Sequence, residues 1–520
     1  MPLISSTDST SYACKSNAAL LLAVVAGAAS SCLVAVGYAL HRRKSGWKPC
    51  QENCSAGTPA AGCCDKSTYE SLIGRTPLIK LAKLSALLGD GRSIYVKMEC
   101  MNPGGTGKDR AALRMIQDAE ACGALPPPMK PMQQSVDTTA STIITSDMPN
   151  NENTRTDPKG PAEKKAVSEE SNHMDESIRM AVSRSRTGGI VVEGTSGSTG
   201  IYLASLCAVR GHSAIVVMPD DQAKEKQTML KCLGAVVHVV PNAAISNPNQ
   251  YVNVARRIAN RINDRSVELE QSEESLSGRR IHVKATFINQ FENLSNYSIH
   301  LESTGPELWY QAGGNIDAFV MSSGTGGTIS GVGRHLKSHN CSPYCKVVLV
   351  DPPGSALYSK IKFGVAYASQ QSERSLRRHR YDTLAEGIGL DRVTANFAMG
   401  CDAAVIDDAI RVSDQEAVDM AHWLLREEGL FVGSSSAMNV VGAFRVAASL
   451  PPNSNTVTII CDGGQRHVSR FWNRDFVVGD WGLKWPQDDP EKSIPSCIAE
   501  LSREYFKQYS SIEMRAIVHR

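Results

Sequence analysis

The chain has 520 residues, enough for a large core, which at roughly 150 residues per domain suggests three to four domains or one decorated enzyme fold. Lys plus Arg number 55 against 53 for Asp plus Glu, so a net charge of +2 gives no electrostatic reason to expect a nucleic-acid partner. Charged residues make up 21% and hydrophobic ones 42%, which excludes a wholly disordered chain and a polytopic membrane protein.

Ala18 to Leu40 is a run of 23 residues without a charge, long enough to span roughly 35 Å as a helix. A cleaved signal peptide or a buried core helix also suits such a run. The basic flank, His41, Arg42, Arg43 and Lys44, follows it, whereas a signal peptide carries its charge in front. The reading is therefore an N-terminal tail over 1–17, a single-pass anchor over 18–40 in the lipid bilayer, and a linker over 41–68, with the remainder facing the cytosol. Fifteen scattered cysteines, from Cys14 to Cys497, fit neither a secreted disulfide scaffold nor a zinc pattern, so no metal is expected.

A periodic region runs from about residue 69 to 484. It is interrupted by 126–176, which opens PPPMKP and contains no Phe, Tyr or Trp, and reads as a disordered surface insertion. Short β-branched runs at 214–218, 318–321, 346–350 and 456–461 alternate with helical patterns, the rhythm of an α/β protein with a largely parallel sheet. Ser413 with Glu416 three residues on is a capping box at a helix start.

Three glycine-containing turns carry the chemistry. In NPGGTGKDR, Lys108 follows a turn and opens a helix, where a fixed reach and positive local potential suit a lysine that condenses with an aldehyde. In SSGTGGTISGVG the loop follows a hydrophobic strand and opens a helix. It is neither a dinucleotide fingerprint, because Ile329 stands at the last glycine position, nor a P-loop, because no Lys-Ser/Thr pair ends it. Its backbone N–H groups and the hydroxyls of Thr325 and Thr328 suit one terminal phosphate monoester. One phosphate plus one aldehyde points to pyridoxal 5′-phosphate. The third turn, EGTSGSTG, suits an amino-acid carboxylate.

With the segments at 289–309, 386–390, 427–438 and 461–469 in the same order, the chain resembles the cysteine synthase/cystathionine β-synthase family of fold-type II pyridoxal-phosphate enzymes. Within it, the anchor and the ICDGGQRH ending are similar to a fungal, membrane-anchored subgroup of cysteine synthases. The resemblance implies two α/β lobes of tryptophan synthase β type with the cofactor between them. It also implies a homodimer; the anchor itself, moderately hydrophobic and rich in Ala, Gly and Ser with a basic C-terminal flank, resembles those of signal-anchored mitochondrial outer-membrane proteins. By it Lys108 bonds the cofactor and removes the Cα proton, Gly324, Thr325, Gly326, Gly327 and Thr328 hold the phosphate, and Ser435 meets the pyridine nitrogen. Thr195, Ser196, Gly197, Thr199 and Gln290 hold the substrate carboxylate, and Gly387 lies beside the substrate. The implied reaction joins sulfide to O-acetylserine. Ser198 stands where the family has an asparagine near the cofactor's 3′-oxygen, and GSSSAM and NPGGTGKDR also depart from the family pattern, differences that bear on rate and substrate choice.

Alternatives are a cystathionine β-synthase, disfavoured because the 36 residues after Lys484 are too few for a tandem regulatory module, a serine or threonine dehydratase, and a membrane-tethered scaffold or sensor that retains the cofactor. His300 and His467 are expected to be structural, Cys461 an inert buried thiol, and 485–520 a C-terminal tail.

Overall fold

A computed structural model of the chain describes residues 68–129, 162–220, 222–243, 245–269, 282–338, 341–342, 344–367, 383–488 and 495–501. The expected anchor at 18–40 and its linker lie outside the described residues. Among the described residues no helix is long and apolar enough to cross a membrane.

Ten strands form two sheets: β1 (Leu78–Lys80), β2 (Ser93–Met98), β3 (Gly189–Gly194), β4 (Ser213–Pro219), β5 (Val236–Val240), β6 (Lys284–Phe287), β7 (Ala318–Ser322), β8 (Lys346–Asp351), β9 (Asp408–Arg411) and β10 (Asn455–Ile460). The four runs expected to be strands correspond to β4, β7, β8 and β10. The larger sheet has the order β1-β2-β10-β7-β8-β9, and the smaller, contributed by the middle of the chain, β5-β4-β3-β6. All pairings are parallel except that of β1 with β2. Central strands β3, β4 and β7 are buried along their whole length, as runs such as SAIVVMP require when helices cover both faces.

Each sheet therefore has a core on either side. On the smaller sheet, Ile190, Val192, Ile215 and Val217 pack on one face and Val191, Val216 and Met218 on the other. On the larger sheet the same alternation places Val320, Val348 and Val350 with the helix Ser434–Ser449, and Phe319, Val347 and Leu349 with the helix Gly327–Leu336.

Two boundaries move. The final part of the 126–176 segment is helical, because Ala162–Arg184 is one continuous helix that seats Met174, Ile178, Ala181 and Val182 in the core of the smaller sheet. Residues 130–161 lie outside the described residues. The chain after Lys484 is not all tail either: Trp485, Cys497 and Ile498 are buried in the core of the larger sheet. The Trp485 ring stands edge-on to His422, with centroids 4.5 Å apart.

In both sheets the loops that follow the carboxyl ends of the parallel strands converge. The turns after β2, β3, β6, β7 and β10 line one cleft between the lobes, the place where open α/β sheets bind ligands.

Candidate active site

The turn after β2 is built tightly enough to aim one side chain. Gly105 N donates to Asn102 O at 2.7 Å, and Lys108 N to Thr106 Oγ1 at 2.9 Å. A methyl on Gly104 would lie 2.2 Å from the Tyr202 ring and 2.3 Å from Asp109 Oδ1, so no larger residue fits there. Behind the turn is a buried charge network. Arg110 donates two bonds of 2.8 Å to Glu99 and bonds of 2.6 and 2.8 Å to Glu307, while Lys97 reaches Glu307 at 2.8 Å. Burial alone would raise the Glu307 carboxyl, but Arg110 and Lys97 hold it at about 2, so the network stays ionised and rigid.

Lys108 is the first residue of the helix Lys108–Ala121, and its side chain faces the cleft. Among the described residues its amine makes no hydrogen bond or ion pair. Burial lowers its pKa, against weaker opposition from Cys461 and Asp462, which favours the unprotonated, nucleophilic form. Cys461 is pushed up to about 12, first by burial and then by Asp462, so it lines the cleft as a neutral thiol.

Across the cleft, the turn between β7 and the helix Gly327–Leu336 forms a concave backbone cradle. Gly326 has φ +86°, and a methyl on it would stand 2.5 Å from Phe397 Cβ. A methyl on Gly324 would stand 2.2 Å from the carbonyl oxygen of Gly387. Thr325 accepts from Asn296 Nδ2 at 2.8 Å, and its carbonyl accepts from Thr394 Oγ1 at 2.7 Å. Thr328 Oγ1 lies 3.2 Å from His300 Nε2. Burial holds His300 at about 3, hence neutral, and its Nδ1 lies 2.9 Å from Thr304 Oγ1: the histidine supports the cradle, as expected of a structural residue.

The turn after β3 and the turn after β6 meet through side chains. Thr199 Oγ1 donates to Gln290 Oε1 at 2.6 Å. Beneath them, Glu193 accepts from Asn289 N at 2.8 Å and Gln290 N at 3.3 Å. Ser435, at the start of the helix Ser434–Ser449, is buried and lines the cleft near Cys461.

Of the residues singled out by sequence, Lys108, Thr195, Ser196, Ser198, Thr199, Gln290, Gly324, Thr325, Gly326, Thr328, Gly387 and Ser435 all line this one cleft. Gly197 and Gly327 shape its turns from behind, Gly197 against Lys226 and Gly327 against Asn296. Ala437 and Met438, in the divergent GSSSAM segment, are fully buried in the hydrophobic core. Sequence reasoning missed Lys226, Glu386 and Asp462 as wall residues, and Glu193 beneath it. His467, expected to be structural, holds Asp462 through Nε2 to Oδ2 at 2.9 Å. Glu193, Glu386, Asp462 and His467 stand inside segments that carry the motifs, but the partners of Glu193 and Glu386 come from distant segments, and no local motif marks Lys226.

An orphan amine opposite a glycine cradle at a helix N-terminus, with a buried hydroxyl at the third wall, fits an aldehyde-bearing aromatic phosphate ester. Fold and site together define a fold-type II pyridoxal-phosphate enzyme. The family model "Pyridoxal-phosphate dependent enzyme" matches residues 69–141 and 171–462. The chain is 38% identical over 440 residues to "Cysteine synthase 2" of Neurospora crassa, covering 84% of this chain and 79% of that one. It is 40% identical over 409 residues to "Cysteine synthase 2" of Schizosaccharomyces pombe, covering 78% and 84%. Among solved structures, an O-ureido-L-serine synthase matches with a TM-score of 0.52 at 26% identity, covering 78% of this chain and 93% of that one. The chain belongs to the pyridoxal-phosphate-dependent enzyme family.

Proposed function

We propose that the chain is a cysteine synthase that replaces the acetoxy group of O-acetyl-L-serine by sulfide, giving L-cysteine and acetate. The observation that carries this reading is the unpartnered Lys108 amine in one cleft with the Gly324–Thr328 cradle and the Thr195–Thr199 turn. Bound in that cleft, pyridoxal phosphate supplies an electron-withdrawing ring that makes the Cα proton of an amino acid removable.

Lys108 would hold the cofactor through its amine, and the same amine would take up the Cα proton, a role favoured by its lowered pKa. Gly324, Thr325, Gly326, Gly327 and Thr328 hold the phosphate through backbone N–H groups and hydroxyls at the helix N-terminus. Ser435, which lines the cleft, would offer a neutral hydroxyl to the pyridine nitrogen, and Ser198 would offer one to the ring's 3′-oxygen. Thr195, Ser196, Gly197, Thr199 and Gln290 orient the carboxylate. Gly387, at φ +82° with nothing within 4 Å of where a methyl would sit, leaves the space the substrate side chain needs.

Purified, cofactor-loaded protein should form cysteine from O-acetylserine and sulfide much faster than cystathionine from serine and homocysteine. The reverse preference would make it a cystathionine β-synthase. Cofactor absorbance with neither reaction would leave a tethered scaffold.

The reading extends to the whole chain: residues 18–40 anchor it in the mitochondrial outer membrane with the catalytic region in the cytosol, and it works as a homodimer. The uncharged 23-residue run with its following basic cluster supports the anchor. The chain should resist alkaline extraction from mitochondria, and protease added to intact mitochondria should digest the catalytic region. Light scattering of detergent-solubilised protein should report two copies.

A further inference from the structure

Two turns that face the cleft come from different lobes and lack a direct bond to one another among the described residues. One follows β3 and carries Thr195, Ser196 and Gly197. The other, Glu386 to Gly389, belongs to the lobe of the larger sheet. A buried ion pair joins the second turn to the helix packed under the first. Lys226, in the helix Lys224–Cys232 of the smaller lobe, reaches Glu386 Oε2, and the two side chains are only 2% and 10% exposed.

Both partners are fitted to their turns. The Lys226 stem lies directly under Gly197: a methyl there, at φ +118°, would stand 2.8 Å from Lys226 Cδ. Glu386 is seated by its own backbone, whose N–H donates to Ser434 Oγ at 3.3 Å, and by Arg470, whose Nε lies 3.1 Å from Oε1. His467 Nδ1 approaches Oε2 at 3.7 Å. Next to this pair, Ser469 Oγ donates to Glu225 Oε2 at 2.7 Å, tying the same helix to the segment that carries His467 and Arg470. A lysine and a glutamate removed from water in this way are costly alone and rigid together.

We infer that the Lys226–Glu386 pair is a strut that holds the Thr195–Gly197 turn and the Glu386–Gly389 turn in register, so that it sets affinity for the amino-acid substrate without touching the cofactor. Both are positioning residues. The consequence for affinity rests on the cysteine synthase reading, whereas the strut itself does not.

The test compares wild type with Lys226→Met, Glu386→Gln and the double variant, which leaves neither charge buried alone. In the cofactor-free full chain, amide exchange over 194–200 and 384–390 should quicken about tenfold or more in all three, while β4 and β8 exchange as in wild type. Lys226→Arg should restore slow exchange. In the cofactor-loaded protein, KM for O-acetylserine should rise about tenfold, with kcat, KM for sulfide and cofactor retention little changed. The double variant should be no worse than either single one. Wild-type exchange in both turns of the double variant would overturn the strut. Faster exchange with an unchanged KM for O-acetylserine would overturn its effect on the substrate. If wild type makes no cysteine, the synthase reading fails, and exchange still decides whether the strut exists.

Discussion

The role proposed for Lys108 draws on local facts: a helix that begins at its own backbone, burial that lowers its pKa, and a cleft that offers its amine no hydrogen-bond partner among the described residues. Lys108→Ala should cut turnover by roughly 10²–10⁴-fold, checked by steady-state cysteine assay. Glu193 makes a second prediction. Burial pushes its carboxyl up to about 8, although the Asn289 and Gln290 N–H bonds pull the other way. Between its ordinary value near 4.5 and about 8, the folded chain holds a proton that the unfolded chain has released, so stability falls as pH rises through that window. Thermal melts of wild type and Glu193→Gln should show the variant less stable at pH 5, having lost an acceptor, but with a flatter decline towards pH 8. Parallel curves would contradict this. Lys108 and the cradle are legible in sequence because motif and function occupy the same few residues. Glu193, Lys226 and Glu386 are not, because each gains its role from a partner brought by tertiary folding.

At the level of elements, local codes and packing divide the work. The Ser413–Glu416 capping box, expected from sequence, is present at the start of the helix Asp414–Trp423. Ser413→Ala should cost about 1 kcal/mol in denaturant unfolding, since it leaves a helix N–H without its cap. The helix Ala162–Arg184 is harder to recognise. Its sequence, poor in aromatics and rich in charge, resembles the polar segment before it, yet Met174, Ile178, Ala181 and Val182 recur at helical spacing and bury one face. Periodicity outweighs composition there. The cradle depends on close approach: Gly324→Ala would drive a methyl against the Gly387 carbonyl. Dialysis of the cofactor-loaded variant should show retention weakened by about tenfold or more, with the fold retained by circular dichroism.

On the scale of the whole molecule, the two-lobed design gathers the turns after β2, β3, β6, β7 and β10 into one cleft. The alternation of strand and helix anticipates an α/β fold with a largely parallel sheet, whereas the division into two lobes follows from the family resemblance. The limits of the domain were less legible, because burial at its edge is a property of the assembled core. Trp485, Cys497 and Ile498 close the larger sheet's core, so ending the chain at Lys484 should remove several kcal/mol of a total near 5–15 kcal/mol. Thermal melts should show a chain ended at Leu501 far more stable than one ended at Lys484.

The central claim is that one lysine and one glycine cradle form the cofactor site. Borohydride reduction of the cofactor-loaded chain fixes the cofactor to the lysine that bonds its aldehyde, and peptide mass mapping then locates it. The account predicts modification at Lys108 and its loss in Lys108→Ala. Modification at Lys97 or Lys226, or none at all, would contradict it.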